Sequence, residues 1–200
     1  VKNLDLLLKV RRRKKAAKPR VNKRILGKSI DERPESISER TEFGHWEGDG
    51  IVGACQKGHL ISLVERMSGY GLLFDVGDRN AIRITEVFSL LKAQYGEDFA
   101  SIFRSITFDN GSEFSSTGAL TAGGLDVYYA HPFSSWERGT NENWNGIVRR
   151  FLPKGTSFEN LPAGLVQRIA AYINALPRKR FGYRSPDDLF KHQLAMVLSS

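Results

Sequence analysis

The feature that most constrains this chain is a change of period. Between residues 50 and 76 three short apolar runs follow one another, at 50–54, 60–65 and 71–76, parted by Lys57-Gly58 and Ser68-Gly69. Runs of this kind between turn residues read as strands. Loops this short join antiparallel neighbours. After Asn80, a helix-capping residue type, the apolar residues Ile84, Val87, Phe88, Leu91 and Tyr95 recur at helical spacing, and Gly96 follows. That stripe is one face of a helix, closed by its glycine. Residues 103–108 and 125–130 read as two more strands, with a loose helix at about 112–120 between them. A helix begins near Thr140, and a last one spans about 161–176. A three-strand meander followed by crossovers predicts an α/β fold, a mixed five-stranded sheet flanked by helices.

Within that frame the run ITFDNGSEF, from Ile106 to Phe114, poses a question. Asn-Gly after an apolar run is a hairpin signal. Residues 112–120 lack strand alternation, however, and a helix is not entered through a two-residue hairpin. Asp109 is therefore expected at the carboxyl end of a strand, where open α/β sheets place their ligands. Asp49 is similar: it lies between Gly48 and Gly50 and is expected to begin the first strand. A third carboxylate comes from the helix near Thr140. Trp144, Ile147, Val148 and Phe151 define its buried stripe, so Glu142, Asn145 and Arg149 share the opposite face. Glu137 has another role available, since Ser134 three residues before it fits a capping box. Three converging carboxylates repel by roughly 4 kcal/mol per pair at ~4 Å in a medium of intermediate dielectric. A cation offsets this. Oxygen donors suit Mg²⁺ or Mn²⁺, and two such ions ~3.5–4 Å apart serve phosphoryl transfer.

Charge names the partner. The formal net charge is +8. Residues 1–40 hold 14 Lys and Arg against 5 Asp and Glu, whereas residues 41–200 hold 16 against 17. Residues 1–40 thus read as a basic, flexible arm and 41–200 as the folded core. The arm's run from Arg11 to Arg24, with Arg12 and Arg13 near its start, is expected to contact DNA by displacing counterions from phosphates. One cysteine, Cys55, excludes an internal disulfide and a multi-cysteine zinc site. No apolar run approaches the ~18 residues of a membrane span, and no secretory signal opens the chain, so a cytoplasmic, nucleoid-associated protein is expected. The glycines at 48, 50 and 53 match a dinucleotide fingerprint only in spacing, because they open a strand rather than a helix. Trp136 and Arg138, in the loop before Glu142, are candidates for stacking on and gripping an unpaired DNA end. Lys154 and the run Arg178, Lys179, Arg180 are candidates for tracking the backbone.

The segments WEGD (Trp46 to Asp49), DNGSEF (Asp109 to Phe114), HPFSSWERGTNENWNGIVRRFLPKGT (His131 to Thr156) and ALPRKRFGYRSPDDLF (Ala175 to Phe190) closely resemble bacterial transposases of the insertion-sequence-30 family. These are DDE recombinases with a ribonuclease-H-like core related to retroviral integrases. The resemblance covers about residues 33–191. It implies the sheet order 3-2-1-4-5, with the first two carboxylates on adjacent central strands. It implies that Asp49, Asp109 and Glu142 form the catalytic trio and hold two Mg²⁺ or Mn²⁺ ions. Asn145 and Arg149 would position the phosphate. The implied reaction is DNA cleavage and strand transfer between transposon ends and target DNA, by a homo-oligomer assembled on DNA. The family's usual N-terminal helix-turn-helix has no counterpart in these residues, so a fragment or truncated copy is expected. A hydrolytic nuclease of the same fold and an inactive DNA-binding remnant are the alternatives.

Overall fold

The computed structural model describes residues 26–132 and 134–199. Arg12 and Arg13 lie outside the described residues. Six strands form one mixed sheet: β1 (Lys28–Ser29), β2 (His45–Val52), β3 (His59–Glu65), β4 (Gly71–Asp75), β5 (Ser105–Phe108) and β6 (Asp126–Tyr129), in the order β1-β6-β5-β2-β3-β4. The meander β2-β3-β4 is antiparallel, and β2, β5, β6 and β1 run parallel. The five strands expected from sequence are present in the implied order. The sixth, β1, pairs with β6 through Lys28 and Ser29. Two residues are too few to display alternation, so β1 leaves no periodic signal to read.

Residues 28–40, read above as part of the arm, are folded. Ser29 caps a turn at Ile30–Glu32. The short helix α1 (Glu35–Glu39) buries Ile37. Its Ile37 carbonyl accepts from Arg66 Nε at 3.1 Å. The first long strand also begins earlier than expected, at His45 rather than residue 50. Its start is hidden by polar residues, His45 and Glu47, that are nonetheless buried. Asp49 therefore sits within the strand, not at its beginning.

Helices cover both faces. On one face α2 (Ile82–Tyr95), the one-turn α3 (Phe99–Ile102) and α7 (Pro186–Leu198) pack against Trp46, Ile61, Leu63, Ile106, Phe108 and Val127. Trp46 anchors this layer: its indole N–H donates to the Ile102 carbonyl at 2.8 Å, and its ring stacks on Phe103. On the other face α5 (Gly139–Phe151) and α6 (Leu165–Ala175) pack on Ile51, Leu60, Val64 and Leu73. Trp144, Ile147 and Val148 are buried there as the stripe predicts, but Phe151 is exposed and meets Tyr172 edge-on. A short helix, α4 (Gly118–Ala122), precedes β6. The helix α7 was not foreseen. Its start is a capping box of Ser185 and Asp188 with Pro186 in the first turn, a signature written in the sequence as SPDD.

Candidate active site

Register builds the site. β2 and β5 are parallel, with His45 opposite Ser105, Trp46 opposite Ile106 and Glu47 opposite Thr107. Carrying that register on by two residues brings Asp49 level with Asp109. The pairing has stopped by then, and the two chain segments part, leaving space for side chains between them. Asp49 projects to the α5 face, as its neighbours Glu47 and Ile51 do.

Asp109 leaves β5 not through a hairpin but through a tight turn into a 3-10 segment at Ser112–Phe114. Its Oδ1 accepts from the Gly111 N–H at 2.9 Å. Asn110 braces the turn, with Nδ2 donating to the Ala130 carbonyl at 2.7 Å and Oδ1 accepting from the Leu26 N–H at 3.1 Å. Gly111 is required for proximity: a Cβ there would lie 2.8 Å from Asp109 Oδ1 and 2.7 Å from Glu113 Cδ. Glu113 is buried, and Arg79 pairs with it at 2.6 Å. That ion pair underlies the Asp109 turn.

The two aspartates share one partner. The buried guanidinium of Arg138 places Nη1 3.2 Å from Asp49 Oδ1 and Nη2 3.6 Å from Asp109 Oδ2, and Nη1 also donates to the Gly48 carbonyl at 3.1 Å. Asp49 Oδ2 accepts from Asn145 Nδ2 at 2.7 Å. The Asp109 carboxyl is pushed above the usual carboxylate range, first by burial and further by the Asp49 charge, while Arg138 opposes the shift. The side chains remain 26% exposed for Asp49 and 39% for Asp109. The pair is thus an accessible, oxygen-only site that cationic charge stabilises, and in this structure a guanidinium supplies the charge.

Glu142 is not gathered into this cluster. Among the described residues no group of three His, Cys, Asp or Glu side chains is close enough to hold an ion. Glu142 is exposed on α5, one turn before Asn145, the residue of that helix that touches Asp49. Asn145 and Arg149 do share its face. Arg149 turns to the backbone, donating from Nη2 to the Val52 carbonyl at 2.9 Å. Trp136 is 73% exposed and Lys154 is exposed. Glu137 does not form the expected capping box. Its oxygens instead accept from the His131 N–H and meet His131 Nδ1, each at 2.8 Å.

Sequence reasoning passed over Glu47, Asn141 and His59. Glu47 is fully buried and paired with Arg66. Asn141 donates its backbone N–H to Glu47 Oε2 and its Nδ2 to the Glu47 carbonyl, each at 2.8 Å. His59 is buried beneath Gly50 with neither ring nitrogen partnered. The available signal was a carboxylate one residue after a buried Trp in a strand.

No protein-family model matches the chain. Its fold is that of a retroviral integrase core: the catalytic core domain of bovine immunodeficiency virus integrase superposes with a TM-score of 0.54, covering 76% of this chain and 97% of that one at 14% identity. In sequence the chain is 42% identical over 193 residues to the "Probable transposase for insertion-like sequence element IS1161" of Streptococcus salivarius, covering 96% of this chain and 54% of that protein. It is 30% identical over 174 residues to the transposase InsI for insertion sequence element IS30C of Escherichia coli K12, covering 86% of this chain and 44% of that protein. The chain is therefore related to the insertion-sequence transposases of the insertion-sequence-30 kind. It spans about half the length of the curated relatives it matches.

Proposed function

We propose that the chain is the catalytic core of a DNA transposase, a metal-dependent enzyme that cleaves DNA and transfers the strand. The observation that carries this reading is the meeting of Asp49 and Asp109, from adjacent parallel strands, at one cationic group. Oxygen-only donors that are partly open to solvent fit Mg²⁺ or Mn²⁺. Asp49 and Asp109 would hold the ion or ions, and Glu142, exposed on α5, would serve as the third carboxylate. When bound, such ions activate an attacking oxygen and stabilise a leaving one in in-line displacement.

The remaining work falls to the chain itself. Asn145 fixes Asp49 through the 2.7 Å hydrogen bond and keeps its second oxygen turned to the cleft. Arg138 neutralises the pair, and its guanidinium would suit a phosphate bound at the same place. Water attack on a phosphodiester breaks the P–O3′ bond and frees a 3′-hydroxyl. That hydroxyl then attacks a target phosphodiester, forming one P–O bond and releasing one, with no covalent enzyme intermediate. Trp136 supplies an exposed ring for an unpaired base. DNA ends and target are the substrates, and a multimer on DNA brings two ends together. The basic residues before position 26, Arg12 and Arg13 among them, add sequence-independent affinity.

The test incubates the protein with a labelled duplex end and a supercoiled target in Mg²⁺ or Mn²⁺. Joined product is expected. Cut product without joining would replace the reading by a hydrolytic nuclease. Wild type as inert as Asp109→Asn would leave only a DNA-binding remnant.

A further inference from the structure

Two buried polar atoms, Thr140 Oγ1 and Trp144 Nε1, have no hydrogen-bond partner, and both residues line the same cavity. The cavity, about 270 Å³, opens between the first turn of α5 and the connection from α6 to α7. Arg178, Lys179 and Arg180 line it from that connection, and Arg40 lines it from the residue that ends α1. Among the described residues none of these four cations is ion-paired. Arg178 and Arg180 are held below the usual arginine range, chiefly by burial. Arg150 adds to this for Arg178. Arg40 and Arg178 add to it for Arg180, against a smaller pull from Glu65 and Glu47. Four cations stand together at the cost of mutual repulsion. No side chain caps the N-terminus of the thirteen-residue α5 at their edge.

Every one of these groups is a donor or a positive charge. Guanidinium and ammonium groups accept no hydrogen bond, and neither does an indole N–H. The complement of such a set is a multivalent oxyanion, and phosphate meets guanidinium forks with paired bonds. The cavity also does not stand alone. Gly139 and Asn143 line it, and they line a second, larger cavity of about 900 Å³ bordered by Glu142, Arg149 and Arg150. The two cavities thus adjoin along α5, with Arg149 and Arg150 continuing the line of cations past Glu142, a length that suits a polyanion better than a single ion.

We infer that this cavity is a phosphate subsite that grips the DNA backbone across α5 from the carboxylate site. It takes the proposed DNA chemistry as its premise. The run Arg178-Lys179-Arg180 is in this account a built site rather than a solvated face.

The double variant Lys179→Gln/Arg180→Gln removes two of the cavity's cations, and an unchanged melting temperature verifies its fold. In anisotropy titrations with a labelled duplex, its affinity falls about tenfold or more, and the slope of log K against log salt falls by about one to two. The control Lys92→Gln, on α2, keeps wild-type affinity. In ¹⁵N spectra the Trp144 indole N–H resonance shifts on adding duplex to wild type and stays put in the double variant. Unchanged affinity and slope, an equal loss in Lys92→Gln, or an unmoved Trp144 resonance would each overturn the inference. So would inorganic phosphate competing with the duplex at equal phosphate concentration, since that marks a small-anion site. Joined product together with undiminished binding by the double variant sinks the subsite alone. Binding lost in the variant, with no cleavage by wild type, sinks the catalytic reading alone.

Discussion

Glu47 and Asp49 stand two residues apart on one strand and project to the same face. Each is held by one arginine and one asparagine of α5: Glu47 by Arg66 and Asn141, Asp49 by Arg138 and Asn145. The two asparagines are one helical turn apart. Around Glu47 the accounts close. Arg66 also donates to the carbonyls of Ile37 and Ser38, and Asn141 Oδ1 accepts from Ser62 Oγ at 3.0 Å. Around Asp49 they do not: Arg138 Nε and Asn145 Oδ1 are buried without partners. The same chemical plan is used twice, sealed in one place and left with unused hydrogen-bonding capacity in the other. A saturated set can only hold the fold, whereas an unsaturated one can still bind something.

Substitutions test this contrast. Glu47→Ala strands Arg66 as a buried charge and is expected to cost about 3–5 kcal/mol in urea unfolding. A loss below 1 kcal/mol would show that the sealed set is not structural. Asp49→Asn should change stability by less than about 1 kcal/mol. Strand transfer should fall on the order of 10³-fold, as several kcal/mol of transition-state stabilisation disappear. An active Asp49→Asn protein would erase the distinction between the two carboxylates. Asn145→Ala is expected to weaken Mn²⁺ binding about 10–100-fold by calorimetry, while Asn141→Ala leaves Mn²⁺ affinity unchanged and lowers stability.

The smallest effect concerns His59, on the opposite face. Burial holds its imidazole below the ordinary histidine value, outweighing the pull of Glu113. The unfolded chain takes up a proton below about pH 6.5 that the folded chain refuses, so stability present above that pH is lost as pH falls toward the folded value. His59→Leu should remove up to about 1 kcal/mol of the loss between pH 7 and 5.5. His45 is depressed by burial too, and half-buried His131 is raised by Glu137, with the opposite sign. The difference between variant and wild type isolates His59. An unaltered pH profile would show that it protonates in place.

The five longer strands and the place of Asp109 at a strand's end were legible from local signals: apolar runs, glycine punctuation and a run that ends in Asp-Asn-Gly, whereas the sheet order came from the family resemblance. The face shared by Glu142, Asn145 and Arg149 was legible from helical spacing. What the spacing does not carry is distance across the fold. That Asn145 reaches Asp49 while Glu142 stays in solvent depends on how α5 lies on β2. Arg138 reads in sequence as a loop cation for an unpaired DNA end; only the meeting of β2, β5 and α5 makes it internal and sets it against the two aspartates. The burial of Glu47 was masked by its polarity, and β1 by its brevity. The start of α7 was written in SPDD but was absorbed into a longer motif.

The hydrogen bond from the Leu26 amide to Asn110 has a further consequence. Asn110 is the residue next to Asp109, so the described chain emerges at the lip of the carboxylate cleft. The 25 residues that precede Leu26 carry eleven lysines and arginines. They are covalently joined to the chain at that lip, so a ligand bound to them would be presented to the cleft as an intramolecular partner.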